Sequence, residues 1–521
     1  MFKRNIILYL SLCFVILLVF SGVGLAADSP KFGGTLRYAM IDTPPSLDQQ
    51  VITSDLATTI AQHIFEGLYT FDSTYKPVPL LVKNSEIKNE GKLIVLHLRE
   101  GVLFHNGKEL TSEDVVSSLN RWGKYGARGP VLYSHIDKVE SVDKYTVNMY
   151  FKDVFAPWQN LLAFINGGPT ILPKEIMEAS SGEPIKIEDY IGTGPYKFEE
   201  WKSGRDISLK RFDDYVGRDE MADGYGGERV TYFDELRFIP VTDVATRING
   251  VKAGDYDYAE QISGDFYDEL YKDPNVAVTV NEGAQVGMMF FNSKAGIMKD
   301  NFKLRQAMQV SLDMDPVLRA AIGPEGLWKI NGSIMPIGTA WYSKGGIENY
   351  NQGNLEEAKK LAKEAGYNGE QIRFMVTTSY PIHYNSCVVI AQQLSLAGFN
   401  IDLQIYDWAT LVSKRINPES WDIFFTTHGF VPDPILYTFL SNAYPGWWMT
   451  DKRLELTDQF TKTLDFEERS KIWDKLQALL YEEVPIIKTG DMYVYNIASL
   501  KVQGIGETSL IWPKFWGVSF K

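Results

Sequence analysis

Residues 371–429 read QIRFMVTTSYPIHYNSCVVIAQQLSLAGFNIDLQIYDWATLVSKRINPESWDIFFTTHG. The first eight place Ile372, Phe374 and Val376 on alternate positions, the period of a β-strand. CVVIAQQLSLAG follows with Val388, Ile390, Ala391 and Leu394 near helical spacing, and Gly398 supplies the stop. NIDLQIYDW alternates again through Ile401, Leu403 and Ile405, and Trp408 opens a second helix. WDIFFTTHG is a short apolar strand running into a polar loop. Strand, helix, strand, helix, strand predicts an α/β fold with a mostly parallel sheet covered by helices. Just upstream, Asn354 is placed to cap a helix with Glu357 at the capping-box position and Gly366 at its end. Leu355, Ala358, Leu361, Ala362 and Ala365 form one apolar stripe there, a core face rather than a cofactor site.

A chain of 521 residues is too long for one core, so two or more lobes are expected. Its 45% hydrophobic and 23% charged composition is that of a folded globular protein. The net charge of −14 repels phosphate backbones and anionic membranes, which argues against a nucleic-acid binder. Lys3 and Arg4 precede an apolar run from Ile6 to Phe20, then the small-residue stretch SGVGLAAD, the layout of a secretory signal peptide over residues 1–26. An uncleaved anchor over Ile6–Leu25 is the alternative. Cys13 follows Leu12, where a lipid-attachment site needs a small residue, so no lipidation is expected. Cys387 is then alone in the mature chain, and no internal disulfide forms. A soluble, untethered exported protein points to a periplasm.

The stretch LREGVLFHNGKELTSEDV, residues 98–115, concentrates a histidine and carboxylates. It reads as two strands meeting at Glu100-Gly101, a turn at Asn106-Gly107, and a helix capped by Thr111 with Asp114 at the third helical position. The acids suit the positive end of the helix dipole. His97 and His105 are not at ligand spacing, so no metal site is expected and the stretch is scaffold.

The same stretch resembles the signature of the family 5 solute-binding proteins, receptors of peptide, oligopeptide and nickel ABC importers. GGTLRYAMIDTPPSLD (33–48), IGTGPYKFEEW (191–201), FDELRFIPVTDVATRINGVKAGDYDYA (233–259), FFNSKAGIMKDNFKLRQAMQVSLD (290–313), NLEEAKKLAKEAGY (354–367) and VPDP (431–434) resemble further family segments in order. The resemblance implies a two-lobed periplasmic-binding-protein clamshell with an extra subdomain in lobe one. Lobe one would comprise 31–65, 190–283 and 485–521, the extra subdomain 66–189, and lobe two 284–484. Ligand would be held between the lobes and delivered to a membrane permease and its ATPase by a monomeric receptor without cofactor.

Peptide receptors of this family hold the ligand's amino group with an aspartate three residues before the acid of the D/E-P pair. Here that position is Phe430, and Asp433 belongs to the pair, where it can simply fix the turn. Dipeptide receptors also use an arginine after the strand ending near 378, and SYPIHYNSC has none. Aromatic residues are plentiful instead: Trp408, Phe430, Tyr437, Tyr444, Trp447 and Trp448. Rings stack on sugar faces, aromatic groups and cations. The candidate ligand contacts are therefore Trp408, Phe430, Asp433, Trp447 and Trp448. The expected ligand is a peptide or peptide-like solute, with an oligosaccharide, another ring-bearing solute or a nickel chelate (through His383 and His428) as alternatives. A secreted hydrolase is the rival class. No H-E-x-x-H, G-x-S-x-G or P-loop motif supports it.

Overall fold

The computed structural model describes residues 30–506 and 510–521. The signal-peptide reading and Cys13 lie outside the described residues. Lobe one opens with β1 (Thr35–Met40). The chain then builds a separate antiparallel sheet from β2 (Val82–Lys88), β3 (Leu93–Leu98), β4 (Ile136–Asp143) and β5 (Thr146–Phe151), in the order β2-β3-β5-β4. Helix α1 (Ser112–Tyr125) packs on this sheet, and the short α2 (Trp158–Ala163) follows it. The chain returns to lobe one through β6 (Tyr196–Lys202), β7 (Asp206–Arg211), β8 (Glu235–Pro240) and β9 (Tyr258–Ala259). It crosses on β10 (Val276–Phe291). Lobe two adds α3 (Leu355–Glu364), β11 (Gln371–Thr377), α4 (Pro381–Leu396), β12 (Asn400–Tyr406), α5 (Trp408–Lys414), β13 (Ile423–Gly429) and α6 (Phe466–Glu483). The return crossing is β14 (Ile486–Ser499).

One sheet runs through both lobes in the order β12-β11-β13-β10-β14-β9-β1-β8-β7-β6. In lobe two, β12, β11 and β13 are parallel, as the 371–429 pattern predicts. Lobe one has its own parallel core, β9, β1 and β8. The antiparallel pair β10 and β14 joins them, from Val276 beside Ser499 to Phe290 beside Ile486. Their register breaks between Asn281 and Gln285, and again between Gly287 and Met288. Both breaks need glycine. Gly283 has φ +69° and a Cβ there would lie 2.7 Å from Pro336 Cβ, while Gly490 has φ +147° and its Cβ would lie 2.8 Å from the Lys329 carbonyl. Beside the second break a buried ion pair, Lys488 Nζ to Asp491 at 2.5 Å, is completed by Asn331 Nδ2 donating to Asp491 at 2.7 Å.

The inner lobe-two strands β11 and β13 are buried on both faces over most of their length, whereas the edge strand β12 is only half-buried. Phe374 and Phe425 pack with Cys387, Ile390 and Leu394 of α4 on one side, and Phe290, Met375 and Phe424 face the other. Burying each such side chain fully contributes about 1.5–3 kcal/mol. Helix α4 starts at Pro381, earlier than the apolar pattern predicts, because proline suits the first helical position and the polar PIHYNS run hides the opening turns. Its inward stripe is His383, Cys387, Ile390 and Leu394, whereas Val388 is exposed.

The stretch 98–115 is scaffold in its geometry. Thr111 caps α1 in a capping box with Asp114, which is fully buried and also accepts from Lys174 N at 2.8 Å and Lys108 Nζ at 3.1 Å. His105 is neutral: its Nδ1 accepts from Gly192 N at 3.2 Å, its Nε2 faces the Gly194 carbonyl at 2.9 Å, and burial lowers its pKa to about 4. The expected second strand after Gly101 is not a regular strand. Residues 102–110 instead fold back on themselves, with Phe104 N to Lys108 O and Leu110 N to Val102 O both at 2.8 Å, because the Asn106-Gly107 turn closes too soon for a longer ladder.

Candidate functional site

Chain direction locates the site. β11, β12 and β13 run toward lobe one, and β1, β8 and β9 run toward lobe two, since each set is parallel and both meet the antiparallel pair β10 and β14. The carboxyl ends of both parallel sets therefore face each other across the crossing strands. In open α/β sheets, ligands bind outside the carboxyl ends of the strands.

The lobe-one edge consists of the loops after β1, β8 and β9. Glu260, buried, accepts from the Tyr38 hydroxyl at 2.6 Å and from Ile41 N at 2.9 Å, and burial raises its pKa. Arg247 donates to the carbonyls of Val241 at 2.7 Å, Thr242 at 3.0 Å and Gln261 at 3.2 Å. Together they lock the three loops into one rim. Asp42 stands exposed on it.

The lobe-two edge follows β11, β12 and β13. Trp408 N donates to Ser379 Oγ at 3.1 Å, tying the first two loops together. Asp407 caps α5, accepting from Thr410 N at 3.0 Å. His383 Nε2 accepts from Thr427 N at 3.2 Å, so the neutral ring carries its proton on Nδ1. Tyr380 and Trp408 flank this ring at 5.0 and 5.6 Å, and burial lowers its pKa to about 4. His428 is likewise pulled down to about 4, by burial first and then by the Arg415 charge. Two neutral histidines and two half-exposed rings thus line this rim. Among the described residues no three histidine, cysteine or acidic side chains gather as a metal site.

Phe430, just past β13, packs its ring 4.4 Å from Tyr75, which precedes β2. The two help wall a cavity of about 170 Å³ with Glu282, Pro336, Ile337 and Ile511, so segments from both crossing sides meet around it.

The remaining candidates are placed differently. Asp433 is fully buried, 2.8 Å from Arg469, and accepts from Asn160 Nδ2 at 2.6 Å and Ile435 N at 3.1 Å. Its carboxylate fixes the turn and docks α2 onto lobe two. Trp448 is buried and donates to Glu483 at 2.5 Å. Trp447 sits with Trp421, 5.8 Å away, and Lys294, 5.0 Å above its ring. That is the opposite end of β13 from Phe430, and the strand's seven residues span about 20 Å. The aromatic residues clustered in sequence are therefore split by the fold.

A two-lobed binding protein is the class that these opposed strand ends define. Residues 76–447 match the bacterial extracellular solute-binding proteins, family 5 Middle, and the chain belongs to that family. A probable peptide ABC transporter periplasmic-binding protein from Sinorhizobium fredii, y4tO, is 27% identical over 507 residues, covering 93% of each chain. The substrate-binding protein CtaP of Listeria monocytogenes matches with a TM-score of 0.79 at 22% identity, over 94% of this chain and 100% of CtaP. The oligopeptide-binding protein AppA of Bacillus subtilis, solved in complex with a nonapeptide, matches with a TM-score of 0.71 at 21% identity, over 95% of this chain and 100% of AppA. These relatives are binding proteins.

Proposed function

We propose that this chain is an exported, monomeric, non-catalytic receptor of an ABC importer that captures a peptide or peptide-like solute between its lobes. It would work in the periplasm and hand its ligand to a membrane permease and ATPase. The observation that carries the reading is the face-to-face arrangement of the carboxyl ends of β1, β8 and β9 with those of β11, β12 and β13. We assign lobe one to 31–65, 190–283 and 485–521, the extra subdomain to 66–189 and lobe two to 284–484. One register break of the crossing strands, between Asn281 and Gln285, spans the 283/284 boundary, which suits a hinge there. Trp408 and Phe430 are the candidate contacts whose positions at the rim support a ligand role. The names of the peptide-binding relatives support the ligand class.

Small-angle scattering and thermal melting with a peptide library test the proposal. A true ligand reduces the radius of gyration and raises Tm by mass action. A library in which nothing shifts either quantity would overturn it.

A further inference from the structure

We infer that the small subdomain carries a latch that holds the receptor shut, and that Asn160 of α2 is its side-chain element. The inference rests on the lobe assignment and closure proposed above and extends them to what keeps the unliganded lobes together. By that assignment the chain enters and leaves the subdomain from lobe one, at 65/66 and 189/190. It enters and leaves lobe two at 283/284 and 484/485, also from lobe one. No chain segment then joins the subdomain to lobe two directly, so a motion at the crossing strands acts on every contact between them. The subdomain is tied firmly to lobe one. Arg121 of α1 pairs with Asp48 at 2.7 Å with both side chains buried, and Gln50 Nε2 donates to the carbonyls of Ser118 at 3.2 Å and Thr170 at 2.8 Å. When the lobes part, the subdomain travels with lobe one.

Its contacts with lobe two are of a kind that can let go. Ala156 N donates to the Thr461 carbonyl and Ala340 N to the Thr74 carbonyl, both at 2.7 Å. Tyr75 lies 4.4 Å from Phe430, and Lys76 Nζ lies 4.9 Å from the centre of the Phe466 ring. Asn160 Nδ2 donates to Asp433 at 2.6 Å, a charge-assisted bond between two buried side chains. Among the described residues no donor reaches the Asn160 oxygen, so the hold of this side chain is on Asp433 alone. Asp433 does not depend on it in return. Arg469 at 2.8 Å and Ile435 N at 3.1 Å, both of lobe two, keep the carboxylate paired after Asn160 leaves. Opening therefore breaks a hydrogen bond to a charged group and strands no ion. Asn160 sits on a six-residue helix, and its amide meets water once the lobes part. These contacts favour the shut form before any ligand arrives. A ligand that binds the shut form gains apparent affinity in proportion to the fraction already shut.

Hydrogen exchange of the full unliganded chain, read by mass spectrometry, tests the latch, because the Ala156 and Ala340 amides each donate across the boundary between subdomain and lobe two. Alanine suits the interior of α2, so N160A keeps the helix. It should speed exchange at both amides about tenfold or more, the worth of a hydrogen bond to a charged group. N160D sets a second carboxylate against Asp433 and should speed them further. The Leu110 amide, bonded to Val102 inside the subdomain, should keep its rate in both variants. Small-angle scattering should give both variants a larger radius of gyration than wild type. A peptide retained from a tripeptide-to-pentapeptide pool should restore the compact radius, with Kd raised by up to about tenfold. Unchanged rates at Ala156 and Ala340 in both variants, or acceleration confined to Ala156 beside Asn160, overturn the latch; the receptor reading then stands if peptides still compact the wild type. Rates at both amides that respond to Asn160, in a chain that no peptide compacts, support the latch and overturn the receptor reading.

Discussion

The two ends of β13 present similar residues and do different work. At its outer end Trp421, Trp447 and Trp448 gather with Lys294 and Glu483. Toward its inner end Phe430 meets Tyr75, and His383 of α4 meets Tyr380 and Trp408. Rings are abundant at both. The outer end is closed by α6 and the segment before it, with Trp448 bonded to Glu483. The inner end abuts the crossing strands, where Phe430 and Tyr75 help wall a cavity. Residue type alone does not separate the two ends of this strand; what packs against each side chain does.

Breaking the closed side should cost stability and leave the rim alone. Asp433→Ala removes the partner of a buried arginine, so a loss of about 3–5 kcal/mol is expected in urea unfolding. A loss below about 1 kcal/mol, the level of an exposed pair, would place Asp433 outside the core network. Trp448→Ala should cost a similar 3–5 kcal/mol or so by opening a cavity and stranding Glu483, with ligand affinity nearly unchanged at temperatures where the variant stays folded.

Acid separates the regions in another way. His63, whose pKa burial lowers to about 3, and His105, His383 and His428, each lowered to about 4, are neutral in the folded protein. Unfolded histidine titrates near 6.5. Between about pH 6.5 and pH 4 the unfolded chain therefore binds more protons, and stability falls as pH drops through that window. Melts at stepwise lower pH should show a declining Tm from near pH 6.5 downward. A flat profile to pH 4.5 would mean that these rings are not buried neutral. Loss of ligand binding before loss of Tm would place the earliest charging at His383 and His428 on the rim.

The smallest effect belongs to the open side. Trp408→Ala should weaken binding by roughly twofold to tenfold, the equivalent of one ring contact, and shift Tm little. Isothermal titration of a retained peptide checks it. Unchanged affinity would move the contact surface toward Phe430 and the cavity beside Tyr75.

The α/β character of lobe two was readable from residues 371–429, because strand alternation and helix spacing are local properties. The Asn354 cap, the Thr111–Asp114 capping box and the stops at Gly366 and Gly398 were readable for the same reason. The site was readable only in part. Trp408 and Phe430 stand at the rim because they follow strands whose direction the pattern fixes. Asp433 and Trp448 could not be told from ligand contacts, since Arg469, Asn160 and Glu483 approach them from elements remote in sequence.

The sequence by itself determined the α/β class, the family resemblance and the scaffold role of residues 98–115, all of which rest on short-range periodicity and capping. Only the tertiary structure decided which charges are satisfied, which aromatic rings share a wall, and that the two parallel sets point at each other. A polar group's availability depends on what packs against it across the fold, and the distances that settle it join residues tens to hundreds of positions apart.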